Sequence, residues 1–173
     1  MPVALVVAVG FAVLWPLDEA SGNTAVPITK GLPFVPNGEY SLAGVTLADD
    51  KVGAIQKVNA APLFDGIKGY VDVKVDASQN DTFNRPANYN FTIELWVKPK
   101  AGAGGNTQTL VSSRRAGIAS ERRGYDILFV REVNQPHPII RARVFAPNVT
   151  NETEVNVPLS QGDPAAWRHV VCV

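Results

Sequence analysis

The stretch FTIELWV at residues 91–97 decides the fold class of this chain, because apolar and polar side chains alternate along it. Its odd-numbered residues are all apolar, and a β-strand would place them on one face. Thr92, Glu94 and Trp96 would lie on the opposite face. A period of two residues is typical of a strand with one buried face, so the segment is predicted to be half-buried.

Similar short signals recur along the chain. At 139–145, IIRARVF places Arg141 and Arg143 on the face opposite Ile140, Ala142 and Val144, and at 125–130 YDILFV is apolar on both faces except for Asp126. Two more strands are predicted at YVDVKVD (70–76) and WRHVVCV (167–173). The 14 glycines and 13 prolines supply turn signals between them. No long segment shows the apolar stripe of a helix. The pattern therefore predicts an all-β sandwich or barrel.

Composition limits the classes of function. A chain of 173 residues with 46% hydrophobic residues can build one domain with a sizeable core. Its 16 basic and 16 acidic residues give no net charge, so nucleic acid is not an expected partner. Cys172 is the single cysteine and excludes an internal disulfide. Its apolar neighbours predict a buried core side chain.

The apolar N-terminal segment, residues 2–15, has two interpretations. It is shorter than the about 20 residues of a membrane-spanning helix, so no membrane insertion is expected. A secretory signal would begin with Lys or Arg, and the first basic residue here is Lys30. The segment is predicted to be a buried first strand. The alternative for residues 1–12 is the remnant of a signal peptide.

Several motifs share their order and spacing with a known family. LFDGIKGYV at 63–71, FTIELWVKP at 91–99 and WRHVV at 167–171 carry the resemblance. Three further matches are LWPLDEASG (14–22), TLVSS (109–113) and GYDIL (124–128). Together they resemble the laminin-G-like branch of the concanavalin-A-like lectin/glucanase superfamily, to which the pentraxins are related.

The resemblance implies a fold and a domain boundary. It implies a single domain over residues 1–173, built as a two-sheet antiparallel jelly-roll sandwich. In the family, the strand similar to residues 167–171 is followed by a hairpin and further strands. The domain is therefore predicted to be incomplete at its C-terminus. Alternatively, the apolar N-terminal segment fills the missing position.

Catalysis is not expected of this chain. Some members of the superfamily are glycoside hydrolases, and retaining hydrolysis needs two carboxyl groups about 5–5.5 Å apart. The central strand offers Glu94 alone, and the chain contains no E-x-D-x-x-E cluster. Trp96 shares a face with Glu94 and is either a packing residue or a platform for a sugar ring.

Arginines and aspartates supply the other candidate binding residues. Arg141 and Arg143 lie on the polar face of one predicted strand, and a second basic group comprises Arg114, Arg115, Arg122 and Arg123. Guanidinium groups suit the sulfates and carboxylates of acidic polysaccharides, although a solvated loop is the alternative. Asp18 and Asp65 are either ligands of a structural calcium ion or residues that stabilise turns through their own backbone. No other cofactor is expected.

Glycosylation sequons favour a secreted protein. They occur at Asn80, Asn148 and Asn151, and a fourth at Asn90 abuts a core strand and is the least suitable. The chain is therefore predicted to be a non-catalytic extracellular carbohydrate-binding or adhesion module of a larger secreted or surface protein. Its partner would be a glycan or an extracellular protein. A purely structural accessory domain is the alternative, and a glycoside hydrolase is less favoured.

Overall fold

The computed structural model describes residues 6–7, 12–17, 19, 21–30, 35–51, 60–74, 91–99, 107–113, 124–132, 137–146, 153–159 and 166–173. Within these ranges every regular element is a β-strand and every strand pairing is antiparallel. The predicted all-β class is thus confirmed. The chain divides into two compact units. The prediction of a single domain over residues 1–173 stays a prediction.

The first unit comprises Met1–Lys74, Asn90–Ala103 and Pro164–Val173. Its strands are β1 (Val6–Val7), β2 (Ala12–Leu14), β3 (Thr24–Ala25), β4 (Ile28–Lys30), β5 (Gly38–Tyr40), β6 (Val45–Lys51), β7 (Ala60–Phe64), β8 (Val71–Val73) and β9 (Ile93–Val97), with a last strand at Arg168–Cys172. The second unit comprises Val75–Tyr89 and Gly104–Asp163. It contains β10 (Thr107–Ser112), β11 (Gly124–Val130), β12 (Ile139–Phe145) and β13 (Thr153–Pro158). The strand at Arg168–Cys172, which belongs to the first unit, is therefore β14.

Strand β9 is the centre of a three-stranded sheet in the order β1-β9-β14. Ile93 and Leu95 are each only 1% exposed, and Val170 of β14 pairs with Leu95. The apolar face predicted for residues 91–97 is therefore confirmed for the strand itself, which begins at Ile93. The other described pairings of this unit are β3-β5-β8, β2-β4 and β6-β7.

The second unit contains a four-stranded meander in the order β10-β11-β12-β13. Every residue of β11 is buried, as expected from its apolar character on both faces. Strand β12 coincides with the predicted segment, and its arginines lie on the face opposite Ile140 and Ala142. The register between β10 and β11 shifts between Thr109 and Val111, which marks a bulge.

Cys172 is not the buried core residue that its apolar neighbours predicted. It lies in the edge strand β14 and is only partly buried. Burial nevertheless raises the pKa of its thiol. A raised pKa lowers the thiolate fraction at neutral pH, which makes the thiol a poor nucleophile.

Tyr125 of β11 makes the folded state sensitive to alkaline pH. Burial raises its pKa to about 12 from the ordinary 10.0, although a hydrogen bond with Ser113 opposes the shift. The folded chain therefore keeps the phenolic proton where the unfolded chain loses it. Stability should be intact below pH 10 and fall as the pH rises through 12, by up to about 3 kcal/mol. Urea denaturation across this range would measure the fall. Tyr125→Phe should reduce it, and an unchanged fall in that variant would contradict the assignment.

Candidate functional site

The outer face of β9 and β14 brings together side chains from two distant parts of the sequence. Glu94 and Trp96 point away from the buried Ile93 and Leu95, because successive side chains of a strand alternate between its faces. The antiparallel register pairs His169 of β14 with Trp96. Glu94, Trp96 and His169 are called the Trp96 face below.

The three side chains of the Trp96 face contact one another directly. The imidazole of His169 stacks on the indole of Trp96 with 4.6 Å between ring centroids and 14° between ring planes. His169 Nε2 lies 2.7 Å from Glu94 Oε1. A carboxylate only accepts hydrogen bonds, so the N–H group at Nε2 is the donor of this hydrogen bond and Glu94 Oε1 is its acceptor. The carboxylate thereby fixes the orientation of the ring.

The Trp96 face remains accessible to solvent. The side chains of His169 and Glu94 are 39% and 41% exposed, and Trp96 is half-buried. The imidazole covers one side of the indole, so a ligand would contact the remaining ring surface and edges. A flat aromatic surface beside hydrogen-bonding groups suits ligands that have both apolar and polar faces, as sugars do.

Glu94 has no paired carboxylate among its described neighbours on the same face of β9 and β14. Along β9 that face carries Trp96, and across the sheet the register places Val171 opposite Glu94. The carboxylate of Glu94 contacts an imidazole rather than a second acid. This arrangement differs from the carboxyl pair on which glycoside hydrolysis depends.

Arg143 forms an ion pair within the second unit. Its Nε and Nη2 donate to Asp126 Oδ1 and Oδ2 at 2.8 and 2.6 Å. Asp126 is only 3% exposed. The guanidinium also lies 5.4 Å from the ring centroid of Phe145. This fork-to-fork geometry neutralises a buried carboxylate and gives Arg143 a structural role.

Arg141 is held by other residues of its unit in a similar way. Its Nη2 donates to Glu132 Oε1 at 2.6 Å, and its Nε donates to Asn156 Oδ1 at 2.9 Å. Glu154 Oε1 lies 3.4 Å from the same Nε. The structure therefore gives both arginines carboxylate partners within their own unit. Their role in binding a ligand stays a prediction.

Asp65 stabilises a turn, as one of its two interpretations predicted. Its Oδ1 accepts hydrogen bonds from the backbone amides of Ile67, Lys68 and Gly69 at 2.9, 2.8 and 2.8 Å. These bonds, the one from Ile67 foremost, lower the pKa of the carboxyl group. Within the described ranges, no group of three or more His, Cys, Asp or Glu side chains is placed to hold a metal ion.

The other candidate residues lie outside the described part of the chain. They are Asp18, the basic group Arg114, Arg115, Arg122 and Arg123, and the sequon residues Asn80, Asn90, Asn148 and Asn151. The sequence-based predictions for these residues stay predictions.

His169 is the residue of the Trp96 face that the sequence did not reveal. It lies 75 positions from Glu94, and only the pairing of β9 with β14 brings the two together. Its presence in a predicted strand at 167–173 was visible. The face and the register that place it beside Trp96 were not.

Comparisons with family models, with curated proteins and with solved structures gave no match for this chain. Among the described residues there is also no helix that is long and apolar enough to span a bilayer.

Proposed function

We propose that this chain is a non-catalytic, extracellular carbohydrate-binding or adhesion module of a larger secreted or surface protein. Its fold would be a laminin-G-like jelly-roll sandwich, and the Trp96 face would contact the glycan. The observation that carries the proposal is the solvent-accessible stack of Trp96 on His169, with Glu94 hydrogen-bonded to the imidazole. The motif resemblance to a superfamily of lectins supports the same class of ligand.

The chemistry of the face supports recognition of a sugar. The indole offers an apolar surface to the C–H groups of a pyranose ring, and the Glu94 carboxylate accepts hydrogen bonds from hydroxyl groups. The hydrogen bond from His169 holds the carboxylate in one orientation before a ligand arrives. A preorganised site loses less conformational entropy on binding.

Two features support binding without turnover. Glu94 is bonded to a histidine, and the residue across β14 from it is Val171. Hydrolysis of a glycosidic bond needs an acid and a second carboxylate at a defined separation. The proposed module therefore retains its ligand unchanged.

A purely structural accessory domain is the second candidate. It is favoured by the ion pairs that Arg141 and Arg143 form with Glu132 and Asp126, because arginines neutralised within their own unit are less available to a ligand. Under this alternative, the Trp96 face would contribute to packing and to the solubility of the parent protein.

Substitutions on the Trp96 face distinguish the two candidates. Trp96→Ala is expected to weaken binding of an array-selected glycan about tenfold, because the stacking surface is lost. Glu94→Gln should weaken binding about threefold, since a neutral amide forms weaker hydrogen bonds than a carboxylate. Isothermal titration of each folded variant measures the change.

Glu39→Gln is the matched control. Glu39 is an exposed carboxylate of β5 whose partner, Lys74, is also exposed. The substitution removes a charge of the same kind from the same unit without altering the Trp96 face. Equal affinities for wild type and Trp96→Ala would reject the proposed face, even if the chain binds glycans elsewhere.

A further inference from the structure

Two turns of the first unit are joined at their bases by backbone hydrogen bonds. The first turn is closed by a hydrogen bond from Gly44 N to Ser41 O at 3.2 Å. The second runs from Asp65 to Gly69 around the Asp65 carboxylate. Hydrogen bonds from Ser41 N to Tyr70 O and from Asp65 N to Gly44 O, both 2.9 Å, connect the two turns. The pair is called the double-turn tip below.

The double-turn tip is held rigidly at its base. A Cβ atom added at Gly69 would lie 2.1 Å from the carbonyl oxygen of Gly44, so the two backbones are in direct contact. Asp65 Oδ1 simultaneously fixes three consecutive amides of the second turn. Side chains at the apex are therefore presented by a preorganised scaffold rather than by a loose loop.

The apex of the tip exposes large apolar side chains that neither the turns nor the core require. Ile67 is 80% exposed, Leu42 is 54% exposed, and Tyr70 beside the second turn is 58% exposed. Turn positions ordinarily favour Gly, Asn, Asp, Ser or Pro. Single exposed apolar residues are common on protein surfaces, but Leu42 and Ile67 lie on two turns that are hydrogen-bonded together, and Tyr70 directly follows the second turn.

We infer that the double-turn tip is a peripheral contact for a phospholipid bilayer. Ile67 and Leu42 would enter the boundary between headgroups and acyl chains. Tyr70 has an apolar ring and a polar hydroxyl, which is the combination enriched at the level of the headgroups. Lys68, exposed in the same turn, would reach lipid phosphates with its ammonium group.

A bilayer suits this surface better than a small ligand does. Small molecules bind in concave sites, whereas the high exposure of Ile67 marks a projecting side chain. On the strands that adjoin the tip, Lys74 pairs with Glu39 at 2.8 Å and Asp72 lies opposite Glu39, so these strands add no net positive charge to that of Lys68. Two aliphatic side chains support only a weak and reversible association. The inference departs from the expectation of no membrane insertion, and it is independent of glycan binding.

Sedimentation with lipid vesicles tests the inference. The 173-residue chain is mixed with vesicles of phosphatidylcholine alone, or of phosphatidylcholine with phosphatidylserine. The double variant Leu42→Ser/Ile67→Ser is expected to partition at least about tenfold less than wild type, because it loses both aliphatic groups. Lys68→Ala should lower binding about fivefold on the phosphatidylserine vesicles only.

Val155→Ser/Val157→Ser is the matched control. These valines of β13 are 58% and 53% exposed and belong to the second unit. The control should partition like wild type. Failure of the folded wild type to sediment with either vesicle would overturn the inference, as would equal losses in the tip and control variants. Self-association that the tip variant abolishes, without vesicle binding, would assign the tip to a second copy of the chain and also overturn it. If the tip double variant does not fold, sedimentation of the wild type and of Lys68→Ala still tests the inference. Equal binding of these two chains to the phosphatidylserine vesicles would then overturn it.

Discussion

Asp126→Asn is expected to lower the free energy of unfolding by about 3 kcal/mol, because it leaves the Arg143 guanidinium without its counter-charge in a largely buried site. The side chains of Arg143 and Asp126 are only 19% and 4% exposed. Two short hydrogen bonds now join them, and an asparagine amide can accept only one of these. Urea denaturation at neutral pH measures the loss.

Glu132→Gln provides the control for this prediction. Glu132 also binds an arginine of β12, Arg141, but its side chain is 41% exposed. Water screens such a pair, so the expected loss is below about 1 kcal/mol. Equal losses in the two variants would show that burial does not determine the strength of the Asp126–Arg143 pair. No loss in Asp126→Asn would reject the pair as a stabilising contact.

Gly69→Ala is expected to destabilise the chain by about 3 kcal/mol, because a methyl group cannot fit between the two turns. The added Cβ would meet the carbonyl oxygen and carbon of Gly44 at 2.1 and 2.8 Å. Both are backbone atoms and cannot rotate away as a side chain could. The turns would have to separate, which would break the hydrogen bond from Asp65 N to Gly44 O.

Gly22→Ala separates this steric effect from the general effect of replacing a glycine. A Cβ atom added at Gly22 would meet no atom of the described residues within 4 Å, although the φ of +93° is unfavourable for alanine. The loss at Gly22 should be about 1 kcal/mol. Thermal unfolding of both variants gives the comparison. A Gly69→Ala variant as stable as Gly22→Ala would contradict the close approach of the two turns.

The sequence predicted best those strands in which one face, or both faces, are clearly apolar. Strand β12 begins and ends where its alternation does, and β11 was recognisable from its apolar run. In both, burial of the side chains dictates the backbone conformation. Strand β9 is shorter than the alternating segment, because Phe91 and Thr92 precede its first ladder pair.

Strands without such a signal were not predicted. Every residue of β13 is exposed, and the alternation of Val155 and Val157 with polar residues is too short to have predicted a strand. It is a strand because its backbone pairs with β12, from Ile139↔Pro158 to Val144↔Thr153. Strand β5 is only three residues long and contains Gly38, which adjoins Val71 too closely for a side chain. Such strands depend on tertiary pairing rather than on local pattern.

The candidate site was predicted only in part, because it also depends on the pairing of strands that are distant in the sequence. Alternation along β9 was enough to place Glu94 and Trp96 on one face. The identity of their partner depends on the register with β14, which no local pattern encodes. Asp126 was noticeable as the polar residue of an apolar strand. Its partner Arg143 followed only from the register between β11 and β12.

The Trp96 face is proposed to make this chain a carbohydrate-binding module. The most direct measurement is a glycan-array screen of the folded wild-type chain, run once with calcium and once with a chelator. We predict selective, saturable binding to a subset of glycans without any turnover, and loss of binding in chelator would add a calcium ion to the site. A blank array from a sample that unfolds cooperatively would contradict the claim and favour a structural module.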